Sequence, residues 1–185
     1  MSAATPDLAA TVEAALAERE LEFSRPWPEL FVVTLPGEAK LTTTTMLTVG
    51  AHGLRVEAFV CRQPDENHAG VYAFLLRRNR RLFGVSYTID RIGDIYLVGR
   101  VSAESVTDAE LDRVLGQVLE AADGDFNTLL ELGFATSIRR EWAWRTSRGE
   151  STRNLAAFTH LVADPDGPGS SPADPGETDT SGPAT

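Results

Sequence analysis

Few residues of this chain have the chemistry for catalysis, and they are scattered. The three histidines, His52, His68 and His160, fall in a turn-like link, at the start of a helical stretch and near the C-terminal end. No two of them share metal-ligand spacing, and the single cysteine, Cys61, cannot complete a zinc set. Cys61 lies in the strand-like run LRVEAFVC, where a lone thiol reads as a small hydrophobe more readily than as a nucleophile. One cysteine also permits no internal disulfide. The sequence contains no HExxH, no GxSxG, no P-loop and no dinucleotide-type GxGxxG.

Two carboxylate pairs remain. Asp90 and Asp94 flank Arg91 in a turn-like segment. Paired carboxylates can do acid–base work or hold a metal, but aspartate is equally a turn former. Asp123-Gly124-Asp125 resembles a calcium loop only faintly, because further oxygen ligands and a terminal glutamate are missing. Asp125 stands where a residue capping the last long helix would stand.

Two other groupings suit binding better than catalysis. Arg77, Arg78, Arg80 and Arg81 form the run RRNRR. Such a cluster can grip a phosphate, an acidic peptide or the chain's own acidic end, or can simply compensate a helix dipole in solvent. Trp142 and Trp144 sit two apart in RREWAWR. On a helix that spacing puts them on different faces, one toward a core and one outward, and exposed tryptophans favour interfaces.

The elements that must position these residues are legible in the periodicity. Asp7 caps a first helix with apolar residues at Leu8, Val12, Ala15 and Leu16, and Pro26 and Pro28 close the segment that follows it. A β-branched apolar run follows at Leu30–Leu35, then period-two runs at Leu41–Val49 and Leu54–Cys61, joined by Gly50-Ala51-His52-Gly53. Asp65 is placed to cap a helix from Glu66 to about Arg81. Strands are expected again from Phe83 to Asp90 and from Ile95 to Val101. The sequence Thr107-Asp108-Ala109-Glu110 has the capping-box pattern and opens a long amphipathic helix, and a last helix resumes near Asp125. About five antiparallel strands with one wet face, an inserted helix and C-terminal helices make an α+β domain.

Composition bounds the function classes. The 185 residues, 42% hydrophobic and 24% charged, suit one soluble domain. The expected division is a single domain over residues 1–163 and a disordered tail over 164–185, a segment too poor in bulky apolar residues to offset its ordering entropy. The formal charge is −10, and Asp164, Asp166, Asp174, Glu177 and Asp179 supply half of it without any Lys or Arg nearby. An acidic body repels phosphate backbones, which disfavours nucleic acid. No apolar run has membrane-spanning length, and the N-terminus lacks a secretory-signal pattern, so a cytoplasmic protein with no membrane partner is expected.

The stretches RQPDENHAGVYAFLLRRNRRLFGVSYTIDRIGDIYLVGRV and LLELGFATSIRREWAWR resemble the YbjN family of bacterial proteins, described as sensory-transduction regulators and similar in fold to type III secretion chaperones. The likeness runs from about Trp27 to Phe158 and is greatest to the actinobacterial branch. It implies a helix, a curved antiparallel sheet in two parts around an inserted helix, and C-terminal helices. It carries no enzymatic activity, cofactor or catalytic residue set. Chaperones of that fold are usually dimers that bind an extended partner segment. The expectation is therefore a non-enzymatic regulatory or chaperone-like protein that binds another polypeptide and forms a homodimer. Its candidate contact residues are Arg77, Arg78, Arg80, Arg81, Trp142 and Trp144. The alternative is a small-ligand sensor or enzyme with a pocket built from Tyr87, Asp90, Arg91 and Asp94.

Overall fold

The architecture is taken from a computed structural model that describes residues 7–163. The expected acidic tail, 164–185, lies outside the described residues. Asp7 begins the structure as expected: its carboxylate accepts from the Ala9 and Ala10 amides and starts α1, Leu8–Glu18, which buries Val12, Ala15 and Leu16.

Six strands follow, not about five. They are β1 Glu22–Trp27, β2 Leu30–Pro36, β3 Thr42–Gly50, β4 Gly53–Cys61, β5 Val85–Ile89 and β6 Ile95–Ser102. They form one continuous sheet in the order β1-β2-β3-β4-β6-β5, antiparallel at every pairing, and not a sheet in two parts. The strand missed by the sequence reading is β1, which holds Pro26. It is an edge strand, where a missing amide donor is tolerated, and its pairing shifts register between Ser24 and Trp27. Only Phe23 of β1 is even partly buried, so its sequence carries no alternation to detect.

All the helices lie against one face of the sheet. That face is built from Phe31, Val33 and Leu35 of β2, Leu47 of β3, Val56 and Ala58 of β4, Val85 of β5, and Ile95 and Leu97 of β6. The opposite face is uncovered and mixed, with Thr44, Thr48, Arg55, Thr88 and Arg100 exposed beside the partly exposed Val32, Met46, Phe59, Tyr96 and Val98. Thr43 and Thr45 break the pattern on the covered side: both are fully buried, and neither hydroxyl has a hydrogen-bond partner among the described residues.

The expected helix from Glu66 to Arg81 is α2, His68–Asn79. Asn67, in the left-handed region with φ 49°, caps it by accepting from the Gly70 amide. Asp65 does not cap it, because its carboxylate is held by Arg62 and by the Ser137 hydroxyl of the last long helix. At the other end of α2, the Asn79 side-chain amide accepts from the Tyr87 amide at 2.7 Å and donates to the Tyr87 carbonyl at 3.2 Å.

Helix α3, Asp108–Gly124, starts at Thr107, whose hydroxyl accepts from the Glu110 amide. Only this half of the capping box forms, since the Glu110 carboxylate pairs with Arg113. Arg19 clamps α1 to this end of α3 through Asp108 and Asp112, and Asp108 holds the guanidinium charged more firmly than usual. Helix α4, Phe126–Ser147, is kinked at Phe134, and a short α5, Thr159–Ala163, packs back on it. Among the described residues no helix is long and apolar enough to cross a membrane.

The orphaned Thr45 hydroxyl gives a direct test. Valine has the same shape without the unpaired oxygen, so Thr45→Val should raise unfolding free energy by about 1 kcal/mol. Chemical denaturation would register this as a higher midpoint at unchanged slope.

Candidate functional site

The four arginines of RRNRR do not act as one group. Helix α2 ends at Asn79, so Arg77 and Arg78 occupy its last turn while Arg80 and Arg81 lie just beyond it. Arg77, Arg80 and Arg81 are exposed and enter no ion pair among the described residues. With Phe74 and the stem of Arg78 they rim an open recess of about 540 Å³. Arg78 turns the other way. Its Nε donates to Asp125 Oδ2 at 2.6 Å and its Nη2 to Glu120 at 3.0 Å. Asp125 also accepts at 2.8 Å from the buried Tyr87 hydroxyl, which lies equally close to the Ala121 carbonyl.

This cluster corrects the expected role of Asp125. It occupies the cap position of α4 but makes no side-chain cap bond, because its carboxylate is buried and committed to Arg78 and Tyr87. Bonding to Asp125 raises the Arg78 pKa. Burial, reinforced by the adjacent carboxylate, drives the Tyr87 phenol well above its ordinary range. The other half of the calcium-like pair, Asp123, accepts from the Lys40 amide at 2.8 Å and fastens the β2–β3 loop to α3.

The tryptophans lie elsewhere. Trp142 is half-buried, while Trp144 is 44% exposed with the Arg148 guanidinium stacked on its ring. Asp65 and Glu66, just ahead of α2, bond Ser137 and Thr136 of α4, while Arg78 at the far end of α2 bonds Asp125, so Trp142 lies beyond the opposite end of α2 from the arginines. The structure thus does not bring the arginines and tryptophans into one site.

The alternative pocket does not assemble either. Asp90 accepts from the Ile92 and Asp94 amides within its turn, and Asp94 accepts from the Gln63 amide. Tyr87 faces the core, away from them. Ile89, Asp90, Arg91 and Ile92 border only an open depression. His52 lies in the β3–β4 hairpin, His68 stands beside Tyr72, and His160 faces Glu131 at 3.3 Å. Among the described residues no three His, Cys, Asp or Glu side chains converge as a metal site.

Cys61 is buried at the end of β4, and burial pushes its thiol up to about 11. Lys40, whose ammonium donates to the Phe59 carbonyl, is lowered in turn by its own burial.

Sequence reasoning missed a second basic feature. Arg55 of β4 and Arg100 of β6 are paired directly across strands on the uncovered face. Period-two patterning places each on a polar face, but their adjacency depends on the register of strands 45 residues apart.

Two predictions follow from these positions. Arg78→Ser should cost about 2–3 kcal/mol, because it leaves a buried carboxylate unpaired, whereas serine at Arg77, Arg80 or Arg81 should shift stability by no more than about 0.5 kcal/mol each. Urea titrations of the four variants separate them. For Cys61, the folded thiol holds its proton above the pKa of about 8.5 of an unfolded cysteine. Its contribution to stability is full below that pH and is lost as pH rises toward 11. Alkylation by iodoacetamide at pH 8.5 should therefore be slow in the native protein and fast in denaturant.

Residues 8–131 match the family described as YbjN, "Putative bacterial sensory transduction regulator". An uncharacterized protein of Mycobacterium tuberculosis is 57% identical over 166 residues, covering 87% of this chain and 91% of its own. One from Mycobacterium leprae is 68% identical over 133 residues, 72% of each chain. Among solved structures, the ExsC–ExsE complex contains a chain matched at 21% identity and TM-score 0.48, over 66% of this chain and 96% of that one. The ExoU–SpcU complex of Pseudomonas aeruginosa is matched at 17% identity and the same TM-score, over 66% and 98%. On the family match and the mycobacterial relatives, the chain belongs to the YbjN family.

Proposed function

We propose that this protein is a non-enzymatic binding protein whose ligand is another polypeptide, engaged through acidic residues that meet Arg77, Arg80 and Arg81. The observation that carries the reading is the division within RRNRR: one arginine serves the fold, while three exposed neighbours on the same short segment pair with no carboxylate among the described residues. Like charges crowded at a helix end repel one another, and a helix dipole rewards only those in the last turn. A partner's carboxylates would relieve that repulsion and form charge-assisted hydrogen bonds. Phe74 in the same recess offers apolar surface beside the charges. Steering of this kind acts mainly on association rate and register, and it suits a regulator that must choose among partners. The family's description as a sensory-transduction regulator accords with such a role.

The test uses the triple variant Arg77→Ser, Arg80→Ser, Arg81→Ser in the full chain, with Arg78 left in place so that the core pair is intact. Host proteins retained by the wild-type chain at low salt should be lost by the triple variant and by the wild type in 1 M salt, where charges are screened beyond about 3 Å. A partner bound equally by both chains would remove the arginines from the account.

A further inference from the structure

The uncovered face of the sheet has a dent at one end, and its origin lies in the backbone. The β3–β4 hairpin pairs Gly50 with Gly53, and Gly53 in turn pairs with Ser102 of β6. Two neighbouring strands thus carry no side chain in the same cross-strand row, which leaves bare backbone as a floor. The next row on the same face, two residues inward, is Thr48, Arg55 and Arg100, in register across β3, β4 and β6. Together these residues enclose an open cavity of about 430 Å³, with His52 at the hairpin end.

The wall of this dent carries an electrostatic cost. Like charges directly opposite on neighbouring strands destabilise a sheet, and here two arginines occupy such positions. Glu57, one row further in, offsets part of the cost by pairing with Arg55 at 2.7 Å. Arg100 is exposed and enters no ion pair among the described residues. The hydroxyls of Thr48 and Ser102 stand on the rim, the latter 2.9 Å from the Ser105 hydroxyl.

The floor itself depends on glycine. At Gly53, φ is 138° and a Cβ would lie 2.1 Å from the Val101 carbonyl oxygen, so only glycine fits. Gly50 is different: its φ is not positive, and a Cβ there would have its nearest neighbour at 3.7 Å. The fold does not require glycine at position 50, yet a side chain there would fill the dent.

We propose that this dent is an oxyanion-binding site, in which Arg55 and Arg100 grip a phosphate or carboxylate group seated over the Gly50–Gly53 backbone. Guanidinium forks match the geometry of such groups, and a bound anion would neutralise the like charges on the two strands. The site lies on the opposite side of the sheet from the α2 arginines and does not depend on the function read from them.

The full chain labelled with nitrogen-15 would be titrated with inorganic phosphate and, separately, with succinate, both at constant ionic strength against chloride. Saturable shifts are expected at the Gly50, Gly53 and Ser102 amides and at the Arg55 and Arg100 Nε–H signals. Arg100→Ser should weaken binding about tenfold or more, as expected for loss of a charge-assisted contact. Glu57→Gln, which frees Arg55, should strengthen it. Gly50→Val should abolish it while leaving the rest of the spectrum in place, so the test stands even if the Arg100 variant folds poorly. Tighter binding of phosphate than of succinate would mark a phosphate-bearing ligand, and the reverse order a carboxylate. Shifts reproduced by chloride, or persisting unchanged in both Arg100→Ser and Gly50→Val, would overturn the proposal.

Discussion

The buried contact among Arg78, Asp125 and Tyr87 is the constraint that ties the helical layer to the sheet. It joins α2 and β5, which are neighbours in the sequence, to the α3–α4 junction 38 residues beyond Tyr87. A carboxylate in that position must have its partners, since an uncompensated buried charge costs more than most single contacts supply. The need fixes how deeply α2 sits, how α3 turns into α4, and which way the tyrosine of β5 points. It also decides the surface: because Arg78 is drawn inward, its three neighbours are left outside on a helix end already crowded with positive charge. Core and candidate contact surface are two outcomes of one short sequence.

The sheet is asymmetric for a related reason. The helical layer covers one side, so the other side meets water, and threonines and charged residues there offset the apolar Val32, Met46, Phe59, Tyr96 and Val98. A face built this way reads as inert solvent-facing surface until its register is known. Only then do Arg55 and Arg100 become neighbours, and only then do two glycines coincide as a bare floor. The further site arises from register, while the α2 cluster arises from local sequence.

The same distinction separates what could be read from the sequence. The strand-like runs marked β2, β3, β4, β5 and β6, and the one-sided polarity anticipated a sheet with one wet face; that Thr43 and Thr45 are buried on the inner side emerged only from the structure. Local chemistry identified Asp7 and Thr107 as caps. Cap rules failed where a charged partner competed for the side chain. Asp65 and Asp125 both stand where caps are common, yet Arg62 and Ser137 take the first carboxylate and Arg78 and Tyr87 the second. Strand β1 escaped notice because an edge strand with a single inward residue has no period to display. At the candidate site, the run of arginines was visible as charge, but which of the four was structural depended on Asp125, and no spacing rule encodes that.

The Asn79 side chain has a consequence for assembly. By bonding both the amide and the carbonyl of Tyr87, the middle residue of β5, it occupies the groups that a further strand would need along that border. The middle of β5 is therefore closed to a further strand, which leaves β1 as the less obstructed border. A ribbon that can lengthen at one border alone cannot propagate: two copies joined there would face outward with their obstructed sides and stop. Growth into a filament needs two complementary borders, and one asparagine obstructs the second.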